Sequence, residues 1–225
     1  MIEALSHIVE RLGQEVFVVA CFDQYPFSLA SALMGLSELM LRLKDDPPMV
    51  DALMARCCEY GLAYACALNQ AGPDLLSGGD SPAGLLGPNL YRAVAWPMEK
   101  QLVAALKTAT SRPVSLHICG DTRFILADMA ATSADVLEID HVVDLTEACR
   151  QVGSHVGLWG NLDPVGLLAQ GSPEQVRQVT RQTIAKAKQA GHRRFVLSSG
   201  CTLAVETPPE NLRAMLAAAR EQRFP

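Results

Sequence analysis

Pro113 to Gly120 reads P-V-S-L-H-I-C-G. Val114, Leu116 and Ile118 alternate with Ser115, His117 and Cys119, which is the period-two pattern of a short strand. Side chains two apart on a strand share a face, so His117 and Cys119 project together at the strand's last residues, just before Gly120. A second apolar stretch, Phe195 to Ser199, runs into Gly200 and Cys201. One imidazole and two thiols, at the C-terminal ends of two strands, make a candidate soft-metal site. Zinc suits such ligands, and three of them leave a fourth position open for chemistry. H-x-C by itself also describes ordinary barrel filling; Cys201 at the matching position of another strand favours the metal.

The strands on either side of this one carry the same design. Glu15 to Phe22 (E-V-F-V-V-A-C-F) is apolar without alternation, as in a parallel sheet covered on both faces, and Asp23, Gln24 and Tyr25 follow it. Asp74 to Gly79 leads to Asp80, and Ala134 to Asp140 ends in an acid. His155 to Trp159 is followed by Gly160-Asn161-Leu162-Asp163-Pro164. Helical periodicity fills the intervals: Ser28 to Leu43, Met49 to Ala71, Asn89 to Thr108, Thr122 to Thr132, Leu145 to Val152, Ser172 to Gly191, and Thr207 to near Arg223. Asp46-Pro47 and the capping box Ser172-Pro173-Glu174-Gln175 mark two of the helix starts.

Six strands, each followed by helix, predict a parallel sheet in an α/β fold. No G-x-G-x-x-G or Walker loop follows the first strand, which weakens a doubly wound nucleotide-binding fold. A (β/α) barrel builds its active site from the C-terminal ends of its strands, and here those ends carry Asp23, Asp80, His117 with Cys119, Asp140, Asn161 and Cys201. A usual barrel has eight strands and ~250 residues; six units fall two short.

At 225 residues, with 49% hydrophobic and 19% charged residues, the chain has the make-up of one globular domain spanning 1–225. A net charge of −5 with no basic stripe makes nucleic acid an unexpected partner. No apolar run reaches the length of a membrane span, and the N-terminal M-I-E-A-L-S-H-I-V-E-R-L is an amphipathic helix rather than a signal peptide. Seven cysteines, an odd number, fit a reducing cytoplasm better than a disulfide framework.

Together, H-I-C-G-D, A-D-V-L-E-I-D, G-N-L-D-P and S-S-G-C-T-L-A-V-E-T-P-P-E-N-L resemble the uroporphyrinogen decarboxylase superfamily. More narrowly, they are similar to its zinc-dependent, corrinoid-linked methyltransferase branch. The resemblance implies a TIM (β/α)8-type barrel in which Val16 begins the third strand and the first two βα units are absent. It implies zinc held by His117, Cys119 and Cys201, with Asp140 as a fourth ligand. It implies methyl transfer between a methylcorrinoid, carried on a separate corrinoid protein, and a small thiol- or hydroxyl-type substrate activated on zinc. No catalytic residue beyond the metal site is expected. A porphyrinogen decarboxylase is the alternative, against which the cysteine pair argues because true decarboxylases lack it, and a catalytically degenerate subunit of the family is another. An open barrel exposes unpaired strand edges, which predicts a homo-oligomer or a second chain covering the gap.

Weaker candidates complete the reading. Asp80, Gln24, Tyr25 and Asn161 stand at strand ends as substrate-binding candidates, with loop capping as the competing role. Asp163 could line the mouth, and Glu206 could cap the last helix. His141 reads as a solvated loop histidine, His7 and His192 as surface residues, His155 as a residue without a role at its strand's start, and Cys57, Cys58, Cys66 and Cys149 as filling.

Overall fold

Six strands alternate with helices in the computed structural model, which describes residues 1–222. By its contacts the chain divides into two compact units: residues 1–118 with 128–136, and 119–127 with 137 onward.

The first unit contains α1 (Ile2–Leu12), β1 (Val19–Gln24), α2 (Pro26–Met34), α3 (Leu36–Asp45), α4 (Pro47–Asn69), β2 (Leu75–Gly79), a 3₁₀ turn (Ser81–Leu85), α5 (Gly87–Ala93), α6 (Ala95–Thr110) and β3 (Ser115–Ile118). Its strands run in the order β1-β2-β3 and pair in parallel. Val19 lies opposite Leu75, Cys21 opposite Ser77, Gln24 opposite Gly79 across a bulge, and Gly79 opposite His117. Phe27, Met54, Leu68, Leu76, Leu102, Leu106 and Leu116 are fully buried; each such side chain contributes about 1.5–3 kcal/mol of hydrophobic stabilisation. Asp46 caps α4, its carboxylate accepting from Met49 N–H, with proline at the first helical position.

α7 (Leu126–Ala130) and β4 (Val136–Ile139) each fall partly in one unit and partly in the other. The second unit continues with α8 (Leu145–Val152), β5 (Gly157–Leu162), a π turn (Pro164–Ala169), α9 (Pro173–Gln189), β6 (Phe195–Ser199) and α10 (Pro209–Arg220). β5 and β6 pair in parallel from Leu158–Phe195 to Leu162–Ser199. Leu162, Leu168, Val176 and Ala214 form one buried cluster, with Leu167, Val179, Leu197 and Met215 packed against it. The expected capping box opens α9: Ser172 and Gln175 bond each other's backbone N–H.

Several boundaries differ from the sequence reading, each for a local reason. β1 starts at Val19 because Glu15 and Val16 N–H close the exit of α1 on Leu12 O. Its burial alternates, with Cys21 exposed. Ser28 to Leu43 is two helices, since Gly35 at φ 88° breaks the ladder. Leu33 is exposed and Leu39 is buried. The Asn89 helix breaks at Val94. Only Leu126–Ala130 of the Thr122 segment is helical, as Asp121 holds Arg123 in a turn ahead of it. β5 begins two residues later than His155 and includes Asn161. α10 ends at Arg220, and Arg223 lies outside the described residues. His192, read as a surface residue, is buried, and burial pushes its imidazole pKa down.

Candidate metal centre

The second unit brings two thiols together. Cys119 follows β3 and Cys201 follows β6 through Gly200. Gly200 N–H donates to Leu162 O at 2.7 Å, which fixes the exit of β6 against β5. A Cβ at Gly200 would lie 2.3 Å from His141 N, so only glycine lets Cys201 pass the backbone after β4. Cys119 Sγ and Cys201 Sγ are 3.6 Å apart, and both are half-buried. A disulfide needs about 2.05 Å, so they are unbridged. Two thiolates on a tetrahedral zinc with 2.3 Å bonds lie about 3.8 Å apart, and the observed spacing fits that donor pair.

His117 stands two residues before Cys119, on the same side of the same strand end. With the Cys119–Cys201 pair, it completes the candidate set of three soft donors that the sequence singles out. An imidazole with two thiols is a zinc-type donor set that leaves room for a further ligand.

Asp140, the acid expected as a fourth ligand, is 7% exposed and engaged by hydrogen bonds. Its Oδ2 accepts from Gly120 N–H at 2.8 Å, and its Oδ1 takes His141 Nδ1 at 2.8 Å. Gly120, at φ 83°, makes the left-handed turn that aims this N–H. His141 is not simply solvated: its Nε2 also lies 3.8 Å from Asp163 Oδ2, so the ring bridges two carboxylates. No local pattern reveals that bridge, because Asp163 arrives from the end of β5. Asn161 Nδ2 donates to Asp140 O and Val143 O, tying the end of β5 to the loop after β4. Asp163 itself caps the π turn, accepting from Val165 and Gly166 N–H at 2.9 Å each. His141, Asn161 and Asp163 line a cavity of about 410 Å³, with Thr183 and Lys186 of α9 on its wall. Glu206 is exposed, and no side chain caps α10.

The first unit places the other candidates differently. Tyr25 is fully buried and donates its hydroxyl to Ser115 O at 2.9 Å. Gln24 lines a second cavity of about 260 Å³. Asp80 is fully buried, its Oδ1 accepting from Ser28 N–H at the start of α2 while its own N–H donates to His117 O at 2.7 Å. Beside it lies Glu99, also fully buried, which accepts from Tyr91 OH at 2.5 Å. Burial pushes Asp80 up to about 6, opposed by hydrogen bonds from Glu99 and Ser28. Burial first, and the Asp80 charge second, hold Glu99 well above the usual carboxylate range. Asp80 Oδ2 and Glu99 Oε1 are both buried with no hydrogen-bond partner, and like charges placed together in a dry core favour keeping a proton. The sequence reading missed Glu99, although a signal existed: it sits 3, 4 and 7 positions before Leu102, Val103 and Leu106, all fully buried, which puts an acid on the apolar face of α6.

With the geometry in hand, comparison with known proteins identifies the family. The sequence model described as uroporphyrinogen decarboxylase (URO-D) matches residues 1–222, and the chain belongs to that family. It is similar to methylcobamide:CoM methyltransferase MtbA of Methanosarcina mazei, with 32% identity across 100% of this chain and 64% of the relative. It is similar also to a uroporphyrinogen decarboxylase of Prochlorococcus marinus, with 30% identity across 97% of this chain and 62% of the relative. The structure matches that of a methyltransferase from Methanosarcina mazei with a TM-score of 0.88 and 25% identity, covering 98% of this chain and 63% of that one. The chain therefore spans less than two thirds of the length of these relatives. The fold is the expected α/β barrel type with six parallel strands. No described helix is long and apolar enough to cross a membrane.

Proposed function

We propose that this chain is a methyltransferase, moving a methyl group between a corrinoid and a thiol- or hydroxyl-type substrate at a zinc ion held by His117, Cys119 and Cys201. The observation that carries this reading is the contact of Cys119 and Cys201 at 3.6 Å, with His117 two residues upstream. When bound, zinc supplies Lewis acidity, which favours the anionic form of a thiol or alcohol at neutral pH.

The chain's own residues hold and orient. The two thiols contribute anionic sulfur and His117 a neutral nitrogen, a set that leaves the bound ion little net charge. Asp140 braces the turn that carries Cys119 through the Gly120 N–H, and stands ready as the nearby acid. His141, held between Asp140 and Asp163, keeps the Asp140 carboxylate oriented. Asn161 fixes the two loops that frame this corner. Asp80, Gln24 and Tyr25 shape the first unit, with Asp80 tying the end of β2 to the His117 carbonyl. The corrinoid's reactivity is the cofactor's own, and we assign it to a separate corrinoid protein, with the reaction taking place in the cytoplasm. Similarity to a methylcobamide:CoM methyltransferase supports a corrinoid methyl donor, and similarity to a methylated-thiol–coenzyme M methyltransferase supports thiol chemistry. Decarboxylases share the family and a similar identity, but porphyrinogen decarboxylation has no use for a paired thiol site.

The test is elemental analysis of the purified protein beside Cys201→Ser, followed by methylcobalamin turnover with a simple thiol. The expected result is about one zinc per chain in the parent, lost in the variant, with demethylation of methylcobalamin only in the parent. A parent that takes up no zinc after reduction and reconstitution overturns the reading and returns the metal-free decarboxylase.

A further inference from the structure

The first unit contains a cavity that the thiol chemistry does not use. It has a volume of about 260 Å³ and lies between the end of β1 and the middle of α4. Phe22, Tyr60 and Tyr64 bring three aromatic rings to its wall, and Asp23 and Gln24 bring the polar groups. Tyr60 and Tyr64 are four positions apart, so they share one face of α4. Between them Gly61 keeps the helix close to the strand: an added Cβ there would already touch Gln24 O at 3.7 Å.

Two features of this wall call for a cation. Asp23 is exposed and has no ion-pair partner among the described residues. It also holds φ 71°, a conformation uncommon outside glycine and concentrated at ligand-binding positions. Tyr60, Tyr64 and Phe22 add ring faces, and the Arg56 guanidinium 5.7 Å from the Tyr60 centroid is outside the lining, its charge answered by Glu59. Aromatic faces are negative and attract positive charge.

The kind of cation follows from what the wall lacks. A metal ion of the calcium or magnesium type wants six or more oxygens, and one carboxylate and one amide do not provide them. A primary ammonium wants three acceptors, which the same two side chains supply poorly. An alkylated ammonium needs only a counter-charge and ring faces. We propose that this cavity binds a small alkylated ammonium ion, its alkyl groups against Phe22, Tyr60 and Tyr64 and its charge opposite Asp23.

Isothermal titration calorimetry of the full chain with choline chloride tests this, with 3,3-dimethylbutan-1-ol as the neutral isostere. Choline is expected to bind saturably, and the isostere roughly tenfold more weakly. Asp23→Asn keeps a residue that tolerates positive φ while removing the charge, and Tyr60→Leu keeps apolar bulk while removing the ring. Each should weaken choline binding by roughly tenfold, with circular dichroism confirming that both variants fold. Equal binding of choline and isostere, unchanged choline binding in both variants, or no saturable binding at millimolar choline overturns the proposal. The readout is choline binding alone, so it stands or falls separately from the metal at Cys119 and Cys201.

Discussion

Each unit brings together a pair of like ionisable groups, two carboxyls in one and two thiols in the other, and the two pairs are resolved in opposite ways. In the first unit Asp80 and Glu99 meet in a core with no solvent access. Neither has a cation to answer it. Burial raises both pKa values and a retained proton settles the pair. In the second unit Cys119 and Cys201 meet at the surface, half-buried, with a third donor two residues away. An open pair of soft donors can take up a cation instead of keeping a proton. The comparison teaches that access, more than the identity of the groups, decides whether like groups in contact serve structure or chemistry.

The largest effect expected is on metal binding. Removing an outer-sphere partner of a metal ligand typically costs 10–100-fold in affinity, so losing a ligand outright should cost more. Cys201→Ser or Cys119→Ala should weaken zinc binding by more than about a hundredfold, read by competition with a chromophoric chelator. The same assay on Glu99→Gln should show parent affinity. If the thiol variants bound zinc as tightly as the parent, the open pair would not be a metal pair and the contrast would collapse.

Next in size is a stability effect on the sealed pair. Glu99→Ala leaves Tyr91 OH without its acceptor in a dry core, which costs about 1–3 kcal/mol, and removes buried side-chain volume besides. The variant should unfold with a loss of about 2 kcal/mol or more in urea titration. Glu99→Gln keeps an acceptor for Tyr91 OH and the side-chain volume, and should stay within about 1 kcal/mol of the parent. Equal destabilisation by both substitutions would show that the carboxyl itself, not the acceptor or the volume, matters there.

The same pair predicts a pH dependence. Its folded pKa values lie above the unfolded ones, from an ordinary 3.8 to about 6 for Asp80 and upward for Glu99. The folded state therefore holds protons that the unfolded state has released. This contribution is complete below the unfolded pKa and is lost as pH rises through about 6. Urea midpoints of the parent should fall between pH 4 and pH 7 relative to those of Glu99→Gln, which has no second proton to hold. Parallel profiles would mean that the two carboxyls titrate in water.

This contrast also marks what the sequence could reveal. The thiol site was legible because β-strand periodicity places His117 with Cys119, and a barrel gathers strand ends at one face, which brings in Cys201. The acid pair was half legible: Asp80 was singled out at a strand end, but its partner lies on a helix 19 positions later, and only the apolar periodicity around Glu99 hinted at it. His141 was read as a solvated loop histidine and is exposed; its contacts to two carboxylates were not legible because Asp163 comes from the end of another strand. The order of six βα units was legible from alternation, whereas breaks at Gly35 and Val94 were not, since the hydrophobic period runs across both. Tyr25 illustrates the same limit, a polar tip at a strand end whose hydroxyl is consumed by a backbone carbonyl in the core.

The smallest effect expected separates open from sealed thiols within the whole chain. Burial pushes Cys57 and Cys149 up to about 11, so at pH 8 only about one part in a thousand of either is thiolate. Both are also buried, as is Cys58, whereas Cys21 is exposed and Cys119 and Cys201 are half-buried. Alkylation rate follows thiolate fraction multiplied by access. With iodoacetamide at pH 8 and peptide mapping, Cys21, Cys119 and Cys201 should label first, and Cys57, Cys58 and Cys149 only on unfolding. Added zinc should slow labelling at Cys119 and Cys201 while leaving Cys21 at its original rate, because Cys21 belongs to no ligand set among the described residues. Uniform protection of all three would point to a general tightening of the fold on adding metal. Protection confined to Cys119 and Cys201 isolates the pair as the place where zinc binds, and gives the contrast between the two pairs a residue-level readout that does not depend on turnover.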